Sequence, residues 1–213
     1  MNAAAIAYDG KHKYIRITDI DEETSAFIPN PLCSPDDDFE ERYLVKENDI
    51  LFARTGASVG KSYLYNSSDG ELYFAGFLIR ARIKSKYNGA FIYYQTKSKR
   101  YSKWVKLISM RSGQPGINSQ EYSSFPIVLT GRVEQNKIAD FISLIDNKIA
   151  VQNKIIKHKK SLIISLIIEI LLSVLSLVES FLSLNLFSLI NNLLKLLWTI
   201  FKEVKRIWSK KKT

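Results

Sequence analysis

The sequence is poor in the residues from which disulfides and metal sites are built. Among its 213 residues are one cysteine, Cys33, and two histidines, too few for an internal disulfide or a Cys-rich zinc site. His12 lies in a polar stretch and His158 in a run of lysines, so we predict that both are solvated. Three consecutive aspartates at 36–38 lack a spaced fourth ligand. We therefore expect no metal and no cofactor.

Catalytic motifs are missing as well. The loop at 56–62, GASVGKS, is similar to a Walker A motif, but three residues separate its glycines instead of four, and a strand-like YLY follows. The sequence contains no Ser/His/Asp set, no periodic face of paired carboxylates and no NPPY methyltransferase motif. It does not begin with a basic and then apolar signal segment. These observations predict a cytoplasmic protein that is not an enzyme.

Positive charge is abundant but unevenly distributed. Residues 1–79 contain seven Lys/Arg and fourteen Asp/Glu, whereas residues 80–111 contain ten Lys/Arg and no acidic residue. Such a block repels itself unless a polyanion is bound. Its interleaved aromatic residues suit a phosphate-facing surface with stacking or packing groups. The alternative interpretation is an ordinary solvated basic face.

Alternation of apolar and polar residues predicts a β-rich first part. In the segment 70–83, Arg80 and Arg82 fall on one face of the expected strand, with Ile79, Ala81 and Ile83 on the other. An acidic, proline-rich segment at 21–41 is predicted to be a long loop, and 89–97 and 98–107 to be helices. Strands are expected at 13–20, 50–53, 63–65, 70–83 and 125–129, with a tight glycine-rich loop at 56–62.

A long helix is predicted from about residue 134. Its apolar residues recur at alternating spacings of four and three, with Gln152 and Lys159 at two positions of the same series. This heptad pattern requires a partner helix. The heptad seam that we predict as an interface consists of Ile138, Ile142, Ile145, Ile149 and Ile156.

Six segments occur together in a characteristic order: YIRITDI, NDILFARTGASVGK, GFLIRARI, SGQPGIN, FPIVL and EQNKIADFISLIDNKI. In this series, residues 13–160 resemble the DNA-specificity (S) subunits of type I restriction-modification enzymes. The resemblance implies an α+β fold, in which a β-rich target-recognition domain at 1–130 is followed by an α-helical coiled-coil arm at 131–172. It also implies a non-catalytic chain without cofactors, because the methyltransferase (M) subunit binds S-adenosylmethionine and the restriction (R) subunit uses ATP.

The resemblance also implies partners and contact residues. The partners are double-stranded DNA and the M and R subunits. A usual S subunit has two recognition domains and two helical regions, whereas this chain has one of each, so we expect a homodimer through the arm or pairing with a second S half. From the loop positions and the one-faced arginines we predict DNA contacts by Arg54, Thr55, Gly56, Ser58, Lys61, Arg80, Arg82, Gln114 and Asn118.

The last region, 173–213, continues an apolar tail that starts near Leu162, where the resemblance fades. The tail has three interpretations. A transmembrane helix at 162–178 would be short and interrupted by Glu169 and three serines. A helix that continues the arm and folds back would break at Asn185 and at Asn191 and Asn192. A translation product of an altered frame would also explain the monotonous composition. We expect no membrane partner, and the alternative to a DNA-specificity subunit is a truncated remnant acting as a helical interaction or membrane-associated protein.

Overall fold

The computed structural model describes residues 1, 3–37, 39–110, 113–182 and 187–209. The chain forms two compact units, Met1–Asp146 and Asn147–Thr213. The predicted α+β fold with a long helix is confirmed. The strands are β1 (Ala4–Ala7), β2 (Lys13–Ile15), β3 (Cys33–Asp36), β4 (Asp49–Ala53), β5 (Ser62–Leu64), β6 (Leu72–Phe74) and β7 (Leu78–Arg82), and the helices are α1 (Gly89–Gln95), α2 (Lys99–Ile108), α3 (Ser119–Ser123), α4 (Arg132–Leu182) and α5 (Phe187–Ser209).

Strand β4 is the centre of the first unit. It pairs antiparallel with β5 on one side and β7 on the other, so that Ile50 faces Leu64 and Ala81. All five of its residues are buried. Two smaller sheets flank this one, a parallel pair of β2 with β6 and an antiparallel pair of β1 with β3.

The two faces of β4 pack into different apolar clusters, because successive side chains of a strand point to opposite sides. Leu51 and Ala53 pack with residues of β2, β6 and β7. Ile50 and Phe52 pack with the helical side of the unit, including Phe91, Tyr101, Val105, Phe125 and Ala139. Burial on both faces fixes the end of β4, from which the glycine-rich loop leaves.

The strand predicted at 13–20 is shorter in the structure. It ends as β2 at Ile15, and a 3-10 turn follows at Ile17–Asp19. The carboxylate of Asp19 accepts hydrogen bonds from the backbone N–H and Nε of Arg16 at 2.8 and 2.9 Å. Such side-chain bonds to nearby backbone compete with the ladder of a sheet, which explains the early end.

The segment 70–83 was predicted as one strand, which is wrong. It forms β6 and β7, which belong to different sheets. A turn between them, in which Leu78 N–H donates to Ala75 O at 2.9 Å, changes the direction of the chain. The apolar pattern continues through this turn, so periodicity did not reveal it. The expected division of faces within β7 does occur, since Arg80 and Arg82 are both within ion-pair distance of Asp49.

Two further predictions need correction. The loop predicted at 21–41 contains β3, which pairs with a β1 that the alanine-rich N-terminal sequence did not suggest. The strand predicted at 125–129 is absent from this described part of the chain, where α3 is followed by irregular backbone. Instead of a neighbouring strand, the Gln95 side chain binds the backbone of Val128: its Nε2 donates to Val128 O at 2.8 Å and its Oε1 accepts from Val128 N–H at 3.0 Å.

Candidate nucleic-acid interface

Two loops that are far apart in sequence lie side by side. Residues 54–61 form the first loop and residues 113–118 the second; we call them the loop pair. Ile117 N–H donates to Arg54 O and Gly56 N–H donates to Pro115 O, both at 2.9 Å. The backbone is therefore paired across the two loops, with a bridge between Thr55 and Gly116. The two sets of loop residues predicted from sequence are thus brought together.

Two glycines allow this close approach. Gly60 has φ +87°, and a Cβ there would lie 2.6 Å from Val105 Cγ1. Gly56 has φ +72°, and a Cβ would lie 3.0 Å from Gln114 Nε2. Residues other than glycine rarely adopt a backbone conformation with positive φ. Glycine is therefore required at Gly60 both for its conformation and for the packing of α2 against the first loop.

Two tyrosine hydroxyls hold the first loop by hydrogen bonds to its backbone. The Tyr122 hydroxyl donates to Ala53 O at 2.6 Å and accepts from Gly60 N–H at 3.1 Å. The Tyr101 hydroxyl donates to Gly60 O at 2.9 Å. Burial raises the pKa of Tyr122 to about 12 and raises that of Tyr101 as well. Both hydroxyls therefore keep the protons with which they donate.

The loop pair presents polar side chains to solvent. Arg54, Gln114 and Asn118 are exposed, and Thr55 and Ser58 are half-buried. The Asn118 Oδ1 accepts from Glu121 N–H at 2.9 Å. The oxygen is therefore used within the chain, and the amide NH₂ is the donor that can bind a ligand. One guanidinium and two amides on a fixed backbone form a group of donors suited to phosphates and base edges.

Lys61, at the end of the first loop, has an internal partner. Its side chain is 15% exposed. The ammonium group donates to Ile20 O at 3.2 Å and lies 3.3 Å from Glu22 Oε1. These contacts tie the loop to the turn after β2.

Arg80 and Arg82 are also engaged within the chain. Arg82 Nε and Nη2 donate to the two carboxylate oxygens of Asp49 at 2.8 and 2.9 Å, and these bonds raise the pKa of Arg82. Arg80 Nη1 donates to Leu44 O at 3.1 Å, and burial lowers its pKa. Arg82 pairs opposite the first residue of β4, whereas the loop leaves after the last, about 13 Å away at the rise of a strand. The structure does not bring Arg82 to the loop pair.

One exposed residue beside the loop pair was missed in the sequence. Phe77, in the turn between β6 and β7, is 64% exposed. Its carbonyl accepts from Arg54 N–H at 3.1 Å, so the two residues are immediate neighbours. The glycine at position 76 marks a turn, a signal that the assignment of one continuous strand had overridden.

The comparison with protein families decides the identity of this fold. A family model described as the type I restriction modification DNA specificity domain matches residues 2–161. The chain belongs to this family. Specificity domains are non-catalytic DNA-recognition modules that assemble with M and R subunits in type I systems. No curated protein matches the chain.

The basic block of the specificity domain includes an open helix face. Lys99, Lys103 and Lys106 recur at spacings of four and three on α2 and are exposed, so they share one side of this helix. The neighbouring aromatic residues pack internally, since Tyr101 is 3% exposed and Trp104 packs against the same cluster. In this domain they are packing groups for the core.

The residues of the heptad seam fall into two groups, one packed against the first unit and one exposed. Ile138 packs against the core of its own unit and Ile142 is half-buried. Ile145, Ile149 and Ile156 are 43%, 53% and 48% exposed. The first turns of α4 thus belong to the first unit, and the open part of the seam begins at Ile145.

The described ranges contain no group of three or more His, Cys, Asp or Glu residues that could hold a metal. Asp36 and Asp37 are exposed, and Asp38 lies outside the described residues.

Among the described residues, one helix, Arg132–Ser180, is long and apolar enough to cross a membrane; its most apolar window has a mean hydropathy of 2.6 and is 6% buried.

Proposed function

We propose that this chain is the DNA-recognition component of a type I restriction-modification enzyme and reads one half of a bipartite target with its loop pair. The observation that carries the proposal is the backbone pairing of residues 54–61 with residues 113–118. This pairing gathers the exposed Arg54, Gln114 and Asn118 on one rigid surface in a domain of a DNA-recognition family.

The side chains of this surface suit different parts of DNA. An arginine binds a phosphate or the O6 and N7 atoms of guanine, and an amide binds the N6 and N7 atoms of adenine. Thr55, Gly56 and Ser58 are half-buried, and their backbone can approach a phosphate closely. Lys61, Arg80 and Arg82 stay predicted DNA contacts, but the proposal does not depend on them.

The helical arm is proposed as the docking surface for M subunits, with R subunits joining the assembled complex. Exposed residues of α4, such as Phe141 and Leu144, supply apolar contact area there. Because DNA is the target, we place the protein in the cytoplasm. A pull-down with an M subunit from the same genome tests this docking, and loss of the M subunit on changing Phe141 and Leu144 to Asp supports it.

A bipartite target requires two recognition domains, and pairing two copies of this domain under twofold symmetry supplies them. The open seam residues Ile145, Ile149 and Ile156 are the proposed contact. Burying side chains of this size stabilises an interface by about 1.5–3 kcal/mol each when burial is complete. Pairing with another S half through the same residues satisfies the same requirement. In a homodimer the two half-sites are identical, so the target is a split palindrome.

The test is the binding of the full chain to double-stranded DNA over a range of salt concentrations. Phosphate contacts release counterions, so affinity should fall steeply as salt rises, with a residual preference for particular sequences at high salt. Mapping methylated adenines after co-expression with the M subunit then gives the target. Absence of any DNA binding at low salt would overturn the proposal in favour of a remnant that acts as a helical interaction protein.

A further inference from the structure

Helix α5 lies outside the part of the chain that the family model matches, residues 2–161, and the proposed function gives it no role. Its sequence separates apolar from polar residues by spacings of three and four, which places each kind on its own side of a helix. The apolar side includes Ile190, Leu193, Leu197, Phe201, Val204 and Trp208.

The second half of this apolar side is open to solvent, whereas Ile190, Leu193 and Leu197 in the first half are half-buried. Trp198 is 60% exposed, Phe201 is 51% exposed and Trp208 is 53% exposed. Single exposed apolar residues are normal on soluble proteins, but a continuous apolar side of a helix marks an interaction surface. The structure therefore leaves α5 with a surface to be covered.

The opposite side of α5 is basic. It carries Lys195, Lys202 and Arg206 against one acidic residue, Glu203, whereas Lys205 lies at the border with the apolar side, and the sequence continues with three lysines at 210–212. The Lys202 ammonium lies 5.6 Å from the centre of the Trp198 ring. Tryptophan beside lysine, at the border between an apolar and a basic side, is the chemistry of the lipid headgroup region.

We propose that α5 is a membrane-surface helix, which lies in the headgroup region of an anionic bilayer with its apolar side toward the acyl chains. Charge complementarity selects this occupant, because lipid phosphates neutralise the lysines, whereas a second copy would bring two positively charged helices together. This differs from the expectation, based on sequence, that the chain has no membrane partner. A span is not required, since the charged side of α5 stays at the surface.

The first experiment mixes the full-length chain with vesicles and separates bound from free protein by flotation. Vesicles of phosphatidylcholine with phosphatidylglycerol should carry the chain upward, and vesicles of phosphatidylcholine alone should carry much less. Higher salt should release it, and the tryptophan emission should shift to shorter wavelength on binding. Equal binding to both vesicles, or binding to neither, would overturn the proposal.

A pair of matched variants assigns the binding to α5. Trp198→Ser should lower partitioning into the anionic vesicles on the order of tenfold, whereas Phe141→Ser, which changes an aromatic residue of similar exposure, 64%, should leave it unchanged. Far-ultraviolet circular dichroism checks that both variants keep their helices. Light scattering without lipid provides the opposite outcome: if Trp198→Ser dissociates a dimer and vesicle binding is unaffected, a second copy covers α5 and the lipid proposal is wrong. DNA binding is not a readout here, so this test is independent of the proposed function.

Discussion

Arg82 holds the carboxylate of Asp49 at two points, with Nε 2.8 Å from Oδ1 and Nη2 2.9 Å from Oδ2. Asp49 is completely buried, and Lys46 N–H also donates to it at 2.9 Å. The pair joins the first residue of β4 to the last residue of β7. A buried carboxylate is costly without partners, so this arginine has a structural function in addition to any contact with DNA.

The first prediction concerns this ion pair. Arg82→Ala should lower the free energy of unfolding by about 1–3 kcal/mol, because a buried acceptor loses its strongest donor. Urea unfolding of the full-length chain measures the change. Arg42→Ala is the matched control, since the ion pair of Arg42 with Glu40 is exposed on both sides and exposed pairs contribute little to stability. If both variants lower the free energy of unfolding equally, Arg82 has no special structural function.

The second prediction concerns Arg54 and phosphate. Arg54→Ala should weaken DNA binding at low salt and reduce the slope of log affinity against log salt by about 0.9, the value for one lost phosphate contact. Stability should not change, because the side chain is exposed. Arg42→Ala again serves as control for a change of net charge. A base contact by Arg54 would appear differently, as lost sequence preference without a change in slope.

The third prediction concerns Phe77, the neighbour of Arg54. On the proposed surface an exposed ring contacts a thymine methyl group or wedges against a base step. Phe77→Ala should therefore lower the affinity for the specific target and leave the salt slope unchanged. Phe141→Ala removes a ring with the same exposed fraction, 64%, from α4 and should bind DNA normally. A normal affinity for the Phe77 variant would show that DNA does not reach this turn.

The fourth prediction is a dependence of stability on pH that arises from Lys97. The residue as a whole is exposed, but its ammonium group is enclosed by Ser25 and Ser62, to which it donates hydrogen bonds of 2.7–3.1 Å. Burial of this group lowers its pKa from 10.5 to about 8. Between these two values the unfolded chain binds more protons than the folded chain, so the free energy of unfolding should rise as pH increases from 8 toward 10.

Above pH 10 the sign reverses. Burial raises the pKa of Tyr93 and of Tyr122 to about 12, so the unfolded chain loses phenolic protons first and stability should fall. Unfolding in urea at a series of pH values gives the profile. Lys97→Met should remove the rise between pH 8 and 10 and keep the fall above it. If the free energy of unfolding of the wild-type chain does not change from pH 8 to 10, the ammonium group of Lys97 is not enclosed as described.

The fifth prediction concerns assembly through the seam. Replacing Ile145 and Ile149 together by Asp should convert a dimer of the full-length chain into a monomer, because two charges would have to be buried in an apolar contact. Light scattering measures the mass. Leu144→Asp is the control, since Leu144 is 68% exposed but lies off the seam. A wild-type chain that is monomeric at tens of micromolar would exclude the seam as a contact between copies.

Local patterns in the sequence predicted the elements that depend on local forces. The hairpin of β4 and β5 around a glycine-rich loop and the long helix α4 follow from alternation, glycine placement and heptad spacing. The end of β2 at Ile15 did not follow, since the turn depends on hydrogen bonds made by the Asp19 side chain. Periodicity describes which residues are apolar, and it does not report where a polar side chain captures the backbone.

The candidate site was predicted in its residues but not in its geometry. Arg54 and Gln114 were both expected to contact DNA, yet nothing in the sequence places two loops separated by some sixty residues side by side. The internal partners of Arg80 and Arg82 were equally hidden, because Asp49 precedes the strand predicted at 50–53 and nothing in the sequence marks its carboxylate as buried. Long-range pairing is decided by the packing of the whole unit, which a single sequence pattern does not contain.

The loop pair is joined by main-chain atoms, Ile117 N–H to Arg54 O and Gly56 N–H to Pro115 O. These two hydrogen bonds use no side-chain atom of Arg54 or Gln114. They are therefore free to change identity while the backbone that presents them stays in place. A set of variants with different residues at these two positions would share one scaffold and differ in the DNA they select, which makes the domain a starting point for engineering new target preferences.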